Sequence, residues 1–261
     1  MQKKVWIKIF WILGILCLLF LILPVIYLFL RLSVEKFVQT LFDREVWNSI
    51  FISFYGAFFA TLTGFVFGVP LAYILSRTNF KGKELIETFI NIPVAIPHVA
   101  VGIALLSLFN PDTFLGKFFS FLHISFVDTI YGIIIAMLFV SISFVVSAGI
   151  NGFNSVDREL EMVSRSLGAS PGYTFLRITF PLAFPFILRG LVLAFARSLS
   201  EVGAILVIAY YPKTAPVLML DRFQQYGLSS AQPVTAIVIL VSLIVFSTLF
   251  YLSHKYVKSK T

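Results

Sequence analysis

The stretch that decides the fold is Ser155–Pro181, "SVDRELEMVSRSLGASPGYTFLRITFP", a charged and proline-bearing segment between long apolar runs. Asp157 is placed to cap a helix whose first turn holds Glu159, where the helix dipole favours negative charge. Gly168 is placed to close that helix in a left-handed conformation. The resulting helix of about 11 residues is ~16 Å long, too short to cross a membrane. Leu160, Val163 and Leu167 recur at helical spacing and form one apolar stripe, with Arg158, Glu161, Ser164 and Arg165 away from it. Ser170 followed by Pro171 reads as a second helix start. Two short helices joined at Gly168-Ala169 suit either docking onto another protein or lying on a lipid surface.

Outside this stretch the chain is dominated by lipid-soluble sequence. Of 261 residues, 59% are hydrophobic and 12% charged, a balance that excludes an ordinary soluble domain. The pattern predicts six spans, at roughly 9–30, 47–76, 86–110, 129–152, 179–211 and 232–254. The run from Ile9 to Leu30 follows Lys3, Lys4 and Lys8, but it is longer than a signal-peptide core and reads as a retained span. The second span exceeds the bilayer thickness, so it tilts, bends near Pro70 or projects into water. Phe-rich residues 110–128 read as a short helix at the outer interface. His123 and His254 read as interfacial positions.

The net charge of +8 comes from basic residues dispersed at the ends of apolar runs, which argues for topology and against nucleic acid. With the amino terminus inside, twelve basic residues flank the spans internally: Lys3, Lys4, Lys8, Arg77, Lys81, Lys83, Arg158, Arg165, Arg177, Lys255, Lys258 and Lys260. Six lie outside: Arg31, Lys36, Arg44, Lys117, Lys213 and Arg222. That asymmetry predicts a multi-pass protein of the cell membrane with both termini and the Ser155–Pro181 stretch in the cytoplasm. The single cysteine, Cys17, permits no disulfide within the chain and reads as a buried small hydrophobe. No histidines have metal-ligand spacing, so no metal site is expected.

Within this stretch, "RSLGASPGYTFLRITFP" resembles the signature loop of permease subunits in ABC importers, G-x9-I-x-L-P preceded by E-A-A. Gly168 is followed at the right distance by Ile178 and Pro181, whereas Met162, Val163 and Ser164 stand at the E-A-A positions and Glu161 comes one residue early. The resemblance implies a type I importer permease, all-α, with six transmembrane helices and a cytoplasmic coupling helix between spans four and five. It divides the chain into residues 1–45, a first transmembrane helix and external loop; 46–254, a five-helix core with coupling loop 155–178; and 255–261, a cytoplasmic basic tail. It also assigns ATPase coupling to Glu161, Met162, Val163, Ser164, Arg165, Leu167, Gly168, Ala169, Ser170, Pro171, Ile178 and Pro181. The implied partners are a second copy of the chain, two cytoplasmic ATPase subunits and an external oxyanion-binding protein, in a lipid membrane. The chain contains no G-x-x-x-x-G-K-[ST] loop, so ATP and Mg would be used by the partner ATPase, and the permease itself is expected to be non-catalytic with no cofactor of its own.

The fifth span carries Arg189, Arg197 and Glu201. An ionised residue at a helix centre costs about 2.5–3.5 kcal/mol on insertion scales, so all three are expected to face protein or water. Arg197 and Glu201, four apart, share a face, either as a structural ion pair or along a translocation path. "FARSLSEVGA", residues 195–204, resembles the F-A-R-A-L-G-E-F-G-A segment of molybdate, tungstate and sulfate permeases. That resemblance implies a tetrahedral oxyanion as substrate, with Arg197, Ser198, Ser200 and Glu201 on the pathway. Pro93 and Pro97 in "NIPVAIPHVA" resemble the P-x-x-x-P start of the third span in the same subfamily, either a moving gate or a static bend. His98 has no carboxylate nearby in sequence and reads as an interface residue. The rival readings are an ion-driven secondary transporter, which predicts several intramembrane carboxylates where only Glu201 lies deep, and a non-transporting membrane anchor.

Overall fold

The computed structural model describes residues 2–258; the side chains of residues 1–5, 254 and 256–261 lie outside the described residues, and with them the readings of Lys3, Lys4, His254, Lys258 and Lys260. Helix α1 (Gln2–Leu30) is apolar on every side from Ile9 onward and is followed by α2 (Val34–Leu41), α3 (Arg44–Arg77), α4 (Lys83–Ala95) and α5 (His98–Phe109). Next come α6 (Phe114–Phe121), α7 (Ile130–Asn154), α8 (Arg158–Ser166) and α9 (Pro171–Thr174), then a π-helical turn (Phe175–Thr179) leading into α10 (Phe180–Leu199). The chain ends with α11 (Gly203–Ile208), α12 (Ala215–Tyr226) and α13 (Leu228–Lys258). Among the described residues there is no strand.

Five helices are long and apolar enough to cross a membrane: Trp6–Leu30, Arg44–Arg77, Ile130–Asn154, Pro171–Leu199 and Leu228–Ser253. The sixth expected span, 86–110, is not one rod. It is the pair α4 and α5, bent by 113° at Ile96 and Pro97. The cause is local: a residue before proline is pushed out of the helical region, and Ile96 is extended at φ −83°, ψ 138°. Pro93, by contrast, stays inside α4.

The fifth span also departs from expectation. Helix is continuous from Pro171 to Leu199, so the second short helix expected at Ser170-Pro171 is the base of the span itself. The span then stops at Ser200 instead of running to residue 211. Residues 110–128 contain the expected short helix, α6, capped by Thr113. Cys17, expected to be buried, is exposed, as is nearly all of Trp6–Leu30, none of which is buried.

Helix α7 is the central element. It packs on α3, where Gly56, Gly64 and Gly68 let Ile133, Met137, Val145 and Val146 approach closely. On its other side it meets α10, where a Cβ at Gly190 would lie 2.2 Å from that of Ala148. The core beside the Ser155–Pro181 stretch is Val69, Ala72 and Leu75 with Val145, Phe153, Ala183 and Ile187. The core at the other end joins Ala57 and Ala60 to Val101, Ile133, Met137, Ala204 and Ile205. A third cluster, with Val46, Leu218, Val234 and Ile237, seats α12 and α13 on the start of α3.

That last junction is also clamped by charge. Arg222 donates to Asp43 and Glu45, both at 2.7 Å, and Lys213 donates to Asp221 at 2.8 Å. Burial opposes ionisation of Asp43 and Asp221, but hydrogen bonds outweigh it: Arg222 and the Glu45 N–H hold Asp43 below 3.8, and Lys213 and Tyr210 do the same for Asp221. The hydrogen bond to Asp221 raises Lys213 above 10.5. Lowered carboxyl values contribute stability above their unfolded values, and that contribution is lost as pH falls through the lowered ones. The raised lysine contributes until pH climbs past its own value. Thermal unfolding in detergent should therefore be flat from about pH 5 to 9 and fall in acid. Asp221→Asn should flatten the acid limb; an unchanged limb would remove the clamp from this account.

Candidate functional site

Asp157 caps α8 by accepting from the Glu159 N–H at 2.9 Å, and the helix ends two residues short of the expected 11 because Leu167 already leaves helical geometry. Gly168 then takes φ +89°, which favours glycine, while Ala169 N–H donates back to the Ser164 carbonyl at 3.2 Å. Three of the residues grouped with docking by sequence have different neighbours from one another. Met162 and Val163 are exposed, whereas Ser164 is buried against Thr174 at 3.0 Å.

Glu161 also turns inward. Its carboxylate accepts from Arg77 Nη2 at 2.7 Å and Nε at 2.9 Å, and from the Thr179 hydroxyl at 3.0 Å. Arg77 donates as well to the Val156 carbonyl at 3.2 Å, and Arg158 reaches the Ser76 carbonyl at 3.0 Å. These bonds tie the loop to the ends of α3 and α10. Glu161 thus acts as an anchor on its own chain and does not belong to the exposed surface. Sequence reasoning missed Arg77 and Thr179 as its partners, since Arg77 was counted only as a topological charge.

With Glu161 and Ser164 turned in, the exposed side of the loop carries a row of apolar side chains. Leu160, Met162 and Val163 are exposed, and Leu167 reaches 84% exposure. Leu160, Val163, Leu167, Tyr173, Ile178 and Leu182 line an open groove of ≈ 930 Å³, with Gly168, Ala169 and Ser170 along it. Arg165 and Pro171 are exposed beside them, and Pro181 is half-buried at the base of α10. Glu161→Ala leaves the Arg77 guanidinium, 9% exposed, without its counter-ion. The expected loss is about 2 kcal/mol, because a charge-assisted bond is removed from a mostly buried partner. Limited proteolysis should then cut within residues 155–170 faster than in the parent, and an unchanged rate would deny the anchoring role.

The second constellation lies where α10 ends. Arg197 Nη2 donates to Glu201 Oε2 at 2.9 Å, and Nη1 donates to the Ser200 hydroxyl at 3.2 Å. Glu201, 1% exposed, uses its other oxygen to accept the Ala204 N–H at 2.8 Å, which caps α11. His98 was expected at a plain interface. Instead its Nε2 lies 2.8 Å from Arg197 and its Nδ1 3.2 Å from Glu201. With the proton on Nδ1 the ring donates to Glu201 and accepts from Arg197 at Nε2, while Arg197 Nη2 also lies 3.0 Å from Nδ1. The carboxylate that sequence proximity did not supply comes from 103 positions away by residue number, brought in by the turn at Pro97 and by Gly203, whose Cβ would lie 2.7 Å from that of His98.

The structure therefore joins Pro97, Arg197, Ser200 and Glu201 through His98, but not Pro93 or Ser198. Pro93 is buried inside α4. Ser198 is fully buried and among the described residues its hydroxyl has no partner. Among the described residues no three His, Cys, Asp or Glu side chains form a candidate metal site.

Comparison with known proteins gives four findings. Residues 64–261 match the family described as binding-protein-dependent transport system inner membrane component. The chain is 40% identical over 254 residues, 97% of its length and 98% of the relative's, to the molybdate/tungstate transport system permease protein WtpB of Thermococcus kodakarensis. It is 36% identical to a probable sulfate transport system permease protein of Chlorokybus atmophyticus over 230 residues, 85% of this chain and 80% of that one. Among solved structures, a bacterial alginate ABC transporter in complex with a pentasaccharide-bound periplasmic protein superposes with a TM-score of 0.73 at 18% identity, covering 96% of this chain and 93% of that one.

Proposed function

The chain belongs to the family of binding-protein-dependent transport system inner membrane components, and we propose that it is the permease of an ATP-driven importer of tungstate or molybdate. The observation that carries the substrate is the 40% identity to a molybdate/tungstate permease across nearly the whole of both chains. The apolar groove between Leu160 and Leu182 supports the coupling half of the reading. It presents a hydrophobic anchor with Arg177 along its lining, the form a protein groove accepts.

In this reading two copies of the chain enclose the path in the cell membrane, with both termini and the coupling loop in the cytoplasm. Two ATPase subunits, which bind ATP and Mg, dock on Met162, Val163, Leu167, Gly168, Ala169, Ser170 and Pro171. An external binding protein delivers the anion. Closure of the ATPase pair moves the loops, and the spans change from inward-open to outward-open as rigid bodies. The permease does no bond chemistry; Glu161 and Ser164 transmit the movement because they tie the loop to α3 and α10.

The cluster of His98, Arg197 and Glu201 serves here as a lock between α5, α10 and α11. Its charges satisfy one another, and Glu201 is too buried to meet a passing ion.

The test is reconstitution of the permease in liposomes with its ATPase and binding protein. Hydrolysis should rise, and anion should enter, when the binding protein is loaded with tungstate or molybdate. A response to sulfate alone would move the chain to the sulfate permeases, which the 36% relative represents. An importer that ignores the binding protein would end the reading altogether.

A further inference from the structure

Arg189 lies midway along α10, and its chemistry differs from that of Arg197 on the same helix. Arg197 is held by Glu201. Arg189 is exposed, and among the described residues it has no ion-pair or hydrogen-bond partner. An uncompensated guanidinium at mid-span is stable only where it meets water, a ligand or another chain.

Its neighbours say which side it faces. Ala183, Ile187, Gly190 and Ala194 form the buried stripe of α10, and Gly190 and Ala183 sit against Ala148 and Gly152 of α7. On one side of that stripe, Phe184, Leu188, Leu191 and Phe195 face Phe58, Leu62 and Phe65 of α3. On the other side Leu182, Phe186, Arg189 and Leu193 recur at helical spacing, and all four are exposed. Helix α7 is divided in the same way. Val145, Val146 and Gly149 meet α3, whereas Ser147, Asn151 and Asn154 open onto a cleft of ≈ 260 Å³ with Glu87 and Asn91 of α4. At 100° per residue, Ser147 and Asn151 fall on the face of α7 opposite α3, between the sides that meet α4 and α10. The same face of the molecule therefore carries a free mid-span cation and a row of neutral hydrogen-bonding groups. The one carboxylate in the cleft, Glu87, lies toward the coupling-loop end within 4.0 Å of Lys83.

We propose that this face lines the permeation path and that Arg189 is the residue contacting the anion. The proposal rests on the oxyanion-permease reading above. A guanidinium offers several N–H donors to a tetrahedral oxyanion, while serine and asparagine guide it onward without holding it. With a second copy across the path, two Arg189 side chains match the two charges of the ion.

The experiment uses the reconstituted importer with tungstate. Arg189→Gln should lower uptake by about 10-fold or more, the factor expected for one charge-assisted hydrogen bond, with ATPase co-purification and basal hydrolysis unchanged. Arg189→Lys should retain most of the parent's uptake. In a Cys17→Ser background, which removes the chain's one cysteine, Arg189→Cys should react with water-soluble thiol reagents. The cationic 2-aminoethyl methanethiosulfonate should restore uptake and the anionic 2-sulfonatoethyl reagent should not. Parent-level uptake by Arg189→Gln, loss of ATPase binding in that variant, an unreactive Arg189→Cys, or equal rescue by both reagents would each overturn the assignment. If the parent importer itself carries no oxyanion, the broader functional reading fails instead.

Discussion

Leu167→Asp should abolish uptake while leaving the permease folded. Leu167 is 84% exposed at the end of α8 and makes no contact on which the fold depends, so its loss should cost the isolated chain less than about 0.5 kcal/mol. In the proposed complex the same position would be an anchor in an apolar groove, where replacing a large hydrophobe by a charge costs about 2–4 kcal/mol of binding. Each 1.4 kcal/mol is a factor of ten in affinity, so ATPase association should weaken by about 30-fold or more. Co-purification of the ATPase, beside the unfolding midpoint of the permease alone, reads both halves of the expectation. Undiminished ATPase capture would show that the groove is not the contact.

Glu201→Ala should be the most damaging single change inside the membrane. The carboxylate is 1% exposed and serves the Arg197 guanidinium, the His98 ring and the Ala204 N–H. Its removal leaves a largely buried cation and an uncapped helix start together. Breaking a buried pair from one side costs about 3–5 kcal/mol, enough to unfold many domains of ordinary stability. Yield and midpoint in detergent should fall together. Glu201→Gln retains an acceptor for Ala204 and should fall less, and the difference between the two variants measures the cap. A Glu201→Ala protein with the parent's midpoint would show that the cluster locks nothing.

The helical structure of the Ser155–Pro181 stretch was legible because its signals are local: a capping aspartate, a glycine at the helix end and a proline in a first turn. The five long helices were legible for the same reason, since composition over about 20 residues is enough to mark a span. What escaped the sequence was set by distant packing. Glu161 sits among docking residues by position, yet Arg77, which determines its direction, is 84 residues away. His98 appears isolated until α5 and α11 close at Gly203. The end of the fifth span at Ser200 was equally hidden, because residues 202–209 remain apolar and only the capping role of Glu201 interrupts the helix.

The unbroken helix from Pro171 to Leu199 has a mechanical consequence. It behaves as an axle: Thr174 and Thr179 key its lower end into the coupling loop through Ser164 and Glu161, and Arg197 rides in its last turn. Glu201 lies past the break at Ser200, outside that helix. A helix is about 5–6 Å in radius with its side chains, so a twist of about 20° sweeps a side-chain tip through about 2 Å. That displacement carries a 2.9 Å contact out of hydrogen-bonding range. In the proposed importer, torque applied at the loop would thereby be converted, at the far end of a 29-residue helix, into the release or engagement of a single latch.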